Sequence, residues 1–371
     1  MTLRWVAVGA AALAAATVAA GAPPNDRVAD LAAKAERLRG LTLTRPLDVR
    51  TLDRAELGAE LTRLLKAHPD PELGPAYDDL YHLLGVLTPD QHVREILLSG
   101  LTDQIAGLYD NYTKRLLLIS SGGAEATDGT VVHEIVHAIQ DQRFDLSSRR
   151  FQPPPTERDA SRAAQALAEG DALETQTRFI AESGLSGALG EFFGAIGQAG
   201  GGTGSNLPPY FQRELVQPYL AGHAFVSELR RRGGQRLVDK AFRMPPRTTA
   251  AVLDPARYLA GDPPPVAIKL AAVPRGWKRI ISTTFGAADL SDLVGNADAT
   301  REWRGGRLAL DANGRRRRLR ITLAVKSPGP VVKALRAALP KRAVISLALT
   351  KSASTRTQTT GVVVAISGNK A

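Results

Sequence analysis

Hydrophobic positions along this chain fall into helical periods first and strand-like ones later. From Asn25 to Leu65 apolar residues recur at three and four, at Val28, Leu31, Ala32 and Leu38, and the pattern repeats over Arg54 to Leu65. That spacing predicts helices, interrupted at Pro46. Pro69 to Pro75 reads as a loop, and Tyr77 to Leu87 and Gln91 to Leu98 as two more helices. The period changes at Gln104 to Ser120, QIAGLYDNYTKRLLLIS, where two apolar runs flank Asp110-Asn111-Tyr112-Thr113. This predicts a β-hairpin. Its second strand, Lys114 to Ser120, is expected to line a cleft and offer a free edge to an extended peptide.

Thr130 to Phe144, TVVHEIVHAIQDQRF, predicts a helix buried on most sides, with Thr127 and Asp128 as N-cap candidates. After a proline-rich loop a long helix is expected to end near Ser183, and Gly197 to Ser205 reads as a mobile loop near the cleft. Gln217 leads into a helix ending at Gly233-Gly234, followed by helices over Arg236 to Phe242 and Thr248 to Tyr258. The tail alternates: Arg307 to Asp311 and Arg318 to Lys326 predict a hairpin around Ala312-Asn313-Gly314. A helix from Pro330 to Leu339 and strands over Ala343 to Thr350 and Gly361 to Ser367 follow, with Arg315 to Arg318 expected at an exposed turn. The expected fold class is α+β: a mainly helical domain over 21–265 with a small sheet, and a small α+β domain over 266–371.

Composition modifies this picture at both ends. Met1 to Arg4 carries one positive side chain, Trp5 to Ala20 is apolar and Ala-rich, and Val18-Ala19-Ala20 precedes Gly21. Residues 1–20 therefore read as a signal peptide, too short to span a bilayer comfortably, and the protein is expected to be secreted or extracytoplasmic. There is no cysteine, which excludes disulfides and thiolate ligands. The net charge of +11 arises in the tail, where sixteen Lys and Arg face two acids from Arg301 onward. A solvated face is the simplest reading. As a partner, an anionic cell-envelope polymer or lipid headgroup is favoured over nucleic acid, because only Trp303 could stack on bases.

The chemistry lies in Thr130 to Phe144. His133 and His137 stand at i and i+4, on one helical face about a turn apart, and Glu134 follows the first. Two imidazoles so placed suit one Zn²⁺, with Glu134 beside them as a base toward water. The chain holds only six histidines; His68, His82 and His92 have no ligand spacing and are expected to be structural or surface residues. With no thiolate available, the third ligand is expected to be a carboxylate of the following helix. Glu169 is the first choice, and Asp171 and Glu174 compete. Gly170 argues for close backbone packing there, since a helical glycine otherwise costs about 1 kcal/mol. Asp141, on the histidine face, is expected to orient an imidazole.

HEIVHAIQDQRFDL, GLYDNYTKRLLLI and ALAEGDA together resemble secreted bacterial HExxH metallopeptidases of the gluzincin (peptidase MA-like) superfamily. The resemblance spans roughly Gln104 to Pro264. It implies a zinc-dependent peptidase acting on a peptide or protein, with His133, His137 and Glu169 as ligands and Glu134 as general base. PYLAGHAFVSELRRRGG is similar to the segment of zinc aminopeptidases carrying the tyrosine that stabilises the oxyanion, which implies that role for Tyr219, with His223 as substitute. The motif by which those enzymes hold a free amino terminus is missing, and Asp254 stands where relatives usually show His. The alternative function is a catalytically silent, zinc-containing envelope-binding protein that uses the basic tail.

Overall fold

The computed structural model describes residues 24–102, 105–121, 126–184, 207–296, 298–350 and 359–370. The segment 1–20, expected to be a signal peptide, and the glycine-rich stretch 197–205 lie outside the described residues. Two small sheets stand among helices, so the chain is α+β and mainly helical. It divides into two compact units, each assembled from separated segments.

The first unit comprises residues up to Asp70, Leu97–Gln152 and Ala164–Pro245. Its elements begin with α1 (Pro24–Arg39), β1 (Asp48–Asp53) and α2 (Arg54–Ala67); α3 (Pro75–Leu84) and α4 (Val93–Thr102) come next in the chain. A capping box starts α2: Asp53 accepts from the Glu56 N–H while Glu56 accepts from the Asp53 N–H. The strand β1 corrects the expectation of helix throughout Asn25 to Leu65. The hairpin is present as β2 (Gly107–Asp110) and β3 (Arg115–Ser121), in antiparallel register from Gly107 opposite Leu118 to Asp110 opposite Arg115.

The sheet order is β1-β3-β2, with β1 parallel to β3. The strand expected to offer a free edge is therefore central, and β2 forms that edge. Leu116, Leu117 and Ile119 are all buried, the unbroken apolar run of a strand covered on both faces.

Helix α5 (Asp128–Phe144) carries the two histidines. The Thr127 hydroxyl caps it, accepting from the Thr130 N–H at 3.2 Å. Val131, Val132, Ile135, Val136 and Ile139 pack against Val28, Leu31, Ala35 and Leu38 of α1 and against Ala172, Phe179 and Ile180 of α6 (Arg158–Glu182). The first unit closes with α7 (Pro209–Arg243), interrupted at Gly233-Gly234, where Gly234 adopts φ 65°. Helices α6 and α7 touch backbone to backbone: a Cβ on Gly170 would lie 2.1 Å from the Gly222 carbonyl carbon. The close approach expected at Gly170 is present.

The second unit comprises Pro71–Ile96, Pro153–Ala163 and residues from Pro246 onward. Strands β4 (Lys278–Thr284), β5 (Trp303–Asn313), β6 (Arg316–Val325), β7 (Val344–Thr350) and β8 (Thr359–Asn369) form an antiparallel sheet of order β4-β5-β6-β8-β7. The sequence reading overlooked β4. Arg317, expected at an exposed turn, is buried and ion-paired to Asp79 on the helix Pro75–Leu84. Among the described residues no helix is long and apolar enough to cross a membrane.

Candidate metal centre

Helix α5 delivers His133, Glu134 and His137 to one place, and α6 brings Glu169 to meet them. All four are buried. The Nε2 atoms of the two histidines lie 3.1 Å apart, and Glu169 Oε2 lies 3.2 Å from His133 Nε2 and 3.3 Å from His137 Nε2. These three residues form the one group of potential metal ligands found among the described residues.

The outer nitrogens explain why the inner ones converge. His137 Nδ1 faces Gln140 Oε1 at 2.9 Å. The Gln140 amide nitrogen donates to the Ala168 carbonyl at 3.0 Å and to Asp171 Oδ2 at 2.9 Å. Because both of those partners are acceptors, the oxygen of Gln140 must face the ring, and His137 Nδ1 must carry a hydrogen. Its Nε2 then presents a lone pair to the centre. Arg39, at the end of α1, holds Asp171 at 2.6 Å and Asp239 at 2.8 Å. His133 Nδ1 faces Gln176 Oε1 at 3.1 Å in the same way, although Gln176 Nε2 has no partner.

Several expectations are corrected by these contacts. Asp141 touches neither histidine; it accepts from the Tyr109 hydroxyl at 3.0 Å, Lys114 Nζ at 2.7 Å and the Leu146 N–H at 3.1 Å. Lying on the histidine face is not enough, because the hairpin reaches the carboxylate first. Asp171 is occupied by Arg39 and Gln140, and Glu174 by Ser227 at 2.6 Å and His223 at 3.0 Å. Neither competes with Glu169. His223 faces Glu174 rather than the metal-ligand group, which removes it as a substitute for Tyr219. The three remaining histidines are structural: His68 stacks on Tyr112, His82 meets the Gln91 carbonyl, and His92 meets Asp78.

Tyr219 is buried with its ring centroid 6.0 Å from that of His133. Among the described residues its hydroxyl makes no hydrogen bond of good geometry, although Glu169 lies near enough to act on it. Burial, reinforced by the charges of Glu169 and Glu134, pushes the phenol well above its ordinary value, so it remains an O–H donor. Glu134 is held by one oxygen only. The Tyr109 N–H on β2 donates to Oε2 at 2.8 Å, while Oε1 has no partner among the described residues. Leu108, Tyr109, Asn111 and Leu146 complete a small pocket around Glu134, His137 and Glu169.

The donor set fits a divalent metal. With His137 Nδ1 facing the fixed oxygen of Gln140 and His133 Nδ1 facing Gln176 Oε1, the centre brings two imidazole Nε2 atoms and a carboxylate oxygen within 3.3 Å of one another. Such a group could hold a metal ion. Tetrahedral ligands bound at about 2.0–2.2 Å lie about 3.3 Å or slightly more apart, close to the observed separations. In the metal-free protein a proton serves instead. Burial pushes the His137 imidazolium down, but the adjacent Glu169 carboxylate, helped by Glu134 and Gln140, raises it to about 9. Burial also pushes the Glu134 carboxyl up.

Sequence reasoning missed Gln140, Gln176, Tyr109 and Arg39. Two of them left a signal. Gln140 is a polar amide one turn beyond His137, and Gln176 stands two turns beyond Glu169 on the same face. Arg39 and Tyr109 arrive from distant segments and left none.

No family model matches the chain, and no curated protein matches it. Among solved structures, a protein from Chloroflexus aurantiacus described as a candidate hydrolase with a novel fold aligns with a TM-score of 0.41 and 17% identity, over 66% of this chain and 92% of that one. Likeness of that degree carries no argument about this chain, and the metal centre stands on its own geometry.

Proposed function

We propose that the protein is a zinc-dependent metallopeptidase acting outside the cytoplasm. The observation that supports this best is the buried convergence of His133, His137 and Glu169 beside a carboxylate oxygen of Glu134 that has no partner among the described residues. The resemblance of the histidine helix to gluzincin metallopeptidases points the same way, and the apolar N-terminal run would serve as its export signal.

In this reading His133, His137 and Glu169 hold Zn²⁺. Held there, Zn²⁺ would supply Lewis acidity and a lowered pKa for water. Glu134 accepts the proton of the attacking water and delivers it to the departing amine. The Tyr109 N–H keeps that carboxylate pointed into the pocket by binding its other oxygen. The Tyr219 hydroxyl donates to the carbonyl oxygen as it gains charge, a contact worth about 3 kcal/mol where such donors have been removed. Leu108 and Leu146 give the substrate an apolar wall.

The test is cleavage of casein and of a broad peptide library with and without a chelator. Cleavage that stops with chelator and returns with Zn²⁺ is expected. Chelator-resistant cleavage contradicts the reading. A protein that binds one zinc ion but cleaves nothing favours the silent envelope-binding alternative.

A further inference from the structure

The sheet of the second unit has two unlike faces. On β6, Arg317, Leu319, Ile321 and Leu323 are buried, while Arg316, Arg318 and Arg320 alternate with them and point the other way. The register extends this outward face to β5: Gly305 pairs with Ala324, Arg307 with Thr322 and Asp311 with Arg318.

The segment 262–277 crosses the outward face. A Cβ on Gly305 would lie 2.5 Å from the Val266 carbonyl oxygen, Arg279 donates to the Ala271 carbonyl at 3.0 Å, and the Arg318 guanidinium lies 5.2 Å from the Trp277 ring centroid. This strap adds two exposed cations, Lys269 and Arg275. The acid contributed by β5, Asp311, is already held by Arg279 at 2.9 Å and Arg318 at 2.8 Å. Among the described residues Lys269, Arg275, Arg316 and Arg320 have no acidic partner. At the margins the same structure exposes apolar side chains: Val344, 64% exposed and paired on the outward face with Ala365, and Val273 on the strap.

We propose that this face docks the protein on an anionic lipid surface. Basic side chains spread over a sheet, with apolar ones at the margin, match headgroup phosphates and the layer beneath them. Single-stranded nucleic acid fits less well, because it calls for aromatic platforms and the Trp277 ring is already engaged by Arg318. The proposal does not depend on the peptidase reading.

Sedimentation of the full chain with phosphatidylcholine vesicles, with and without phosphatidylglycerol, tests it. The apolar N-terminal run is common to both arms, so its contribution appears as the phosphatidylcholine baseline. Partitioning is expected to need the anionic lipid, to fall with salt, and to weaken by about a hundredfold or more in Arg316→Glu/Arg320→Glu, since each basic charge contributes about fivefold. An unchanged far-UV spectrum and melting midpoint must accompany that loss. If the double reversal does not fold, Arg316→Gln/Arg320→Gln serves in its place, with about a twentyfold or greater loss expected on the same basis. Equal binding to both vesicles, undiminished binding by a folded variant, or tighter binding to single-stranded DNA than to vesicles overturns the proposal.

Discussion

In the second unit, buried Arg158 meets Glu72 and Asp289, and buried Arg162 meets Asp289 and Asp292 at 2.6 Å each. Each of these carboxylates has a guanidinium. In the first unit, His133, His137, Glu134 and Glu169 are as deeply buried, but among the described residues no guanidinium or ammonium meets their carboxylates. The first of these networks is complete in its own side chains, as a structural cluster must be. The second has only its own histidines to balance its carboxylates, and that arrangement marks it as a candidate site. Burial and charge alone do not separate the two; the balance of donors and acceptors does.

The largest predicted effect lies on the incomplete side. Glu134→Ala should lower kcat by about 10²–10⁴-fold while leaving metal content unchanged. Peptidase assay with elemental analysis checks this, and full activity in the variant would remove Glu134 as the base. For stability the contrast reverses. Asp289→Ala leaves Arg158 and Arg162 short of their shared buried carboxylate and should destabilise by about 3–5 kcal/mol in urea titrations, without changing metal content. Glu134→Gln should raise the melting midpoint, because burial holds the folded-state carboxyl above its ordinary value, so its ionised form opposes folding near neutral pH. A lower midpoint would mean that Glu134 belongs with the structural set.

A smaller effect is expected at Gln140. Gln140→Leu removes the acceptor that fixes the His137 tautomer and should weaken metal binding about 10–100-fold in chelator competition. NMR of the metal-free variant should show hydrogen on either ring nitrogen of His137, in place of Nδ1 alone in the neutral ring. Equal affinity and an unchanged tautomer would contradict that role. The mildest effect is on pH. His137 is raised above its ordinary 6.5 to about 9, so its charged form stabilises the metal-free protein fully below about pH 6.5, and the contribution fades as pH rises through about 9. Melting curves of chelated protein should show this decline, and loading with metal should suppress it. A flat profile in the chelated protein counts against the proton standing in for the metal.

What the sequence revealed was mostly local. The i, i+4 histidines, the Thr127 cap and the hairpin turn are written in neighbouring residues, and Glu169 followed from needing a ligand one helix on. Gly170 announced a close approach without naming its partner, Gly222. The misses share a cause. Strand β1 reads DVRTLD and is mostly exposed, so it shows no apolar alternation. Its pairing with β3 joins residues more than sixty positions apart, which is why an interior strand was mistaken for an edge. Asp141 was assigned by helical geometry alone, and Tyr109 and Lys114 claimed it from the hairpin. The second unit includes 71–96 because contacts such as Arg317 with Asp79 cross more than two hundred residues.

The most direct test of the central claim is calorimetric titration of the chelated protein with Zn²⁺, alongside His133→Ala and Glu169→Ala. The account predicts one ion per chain, release of a proton as His137 is deprotonated, a raised melting midpoint, and large losses of affinity in both variants. Failure to bind zinc, or binding that survives both substitutions, would contradict it.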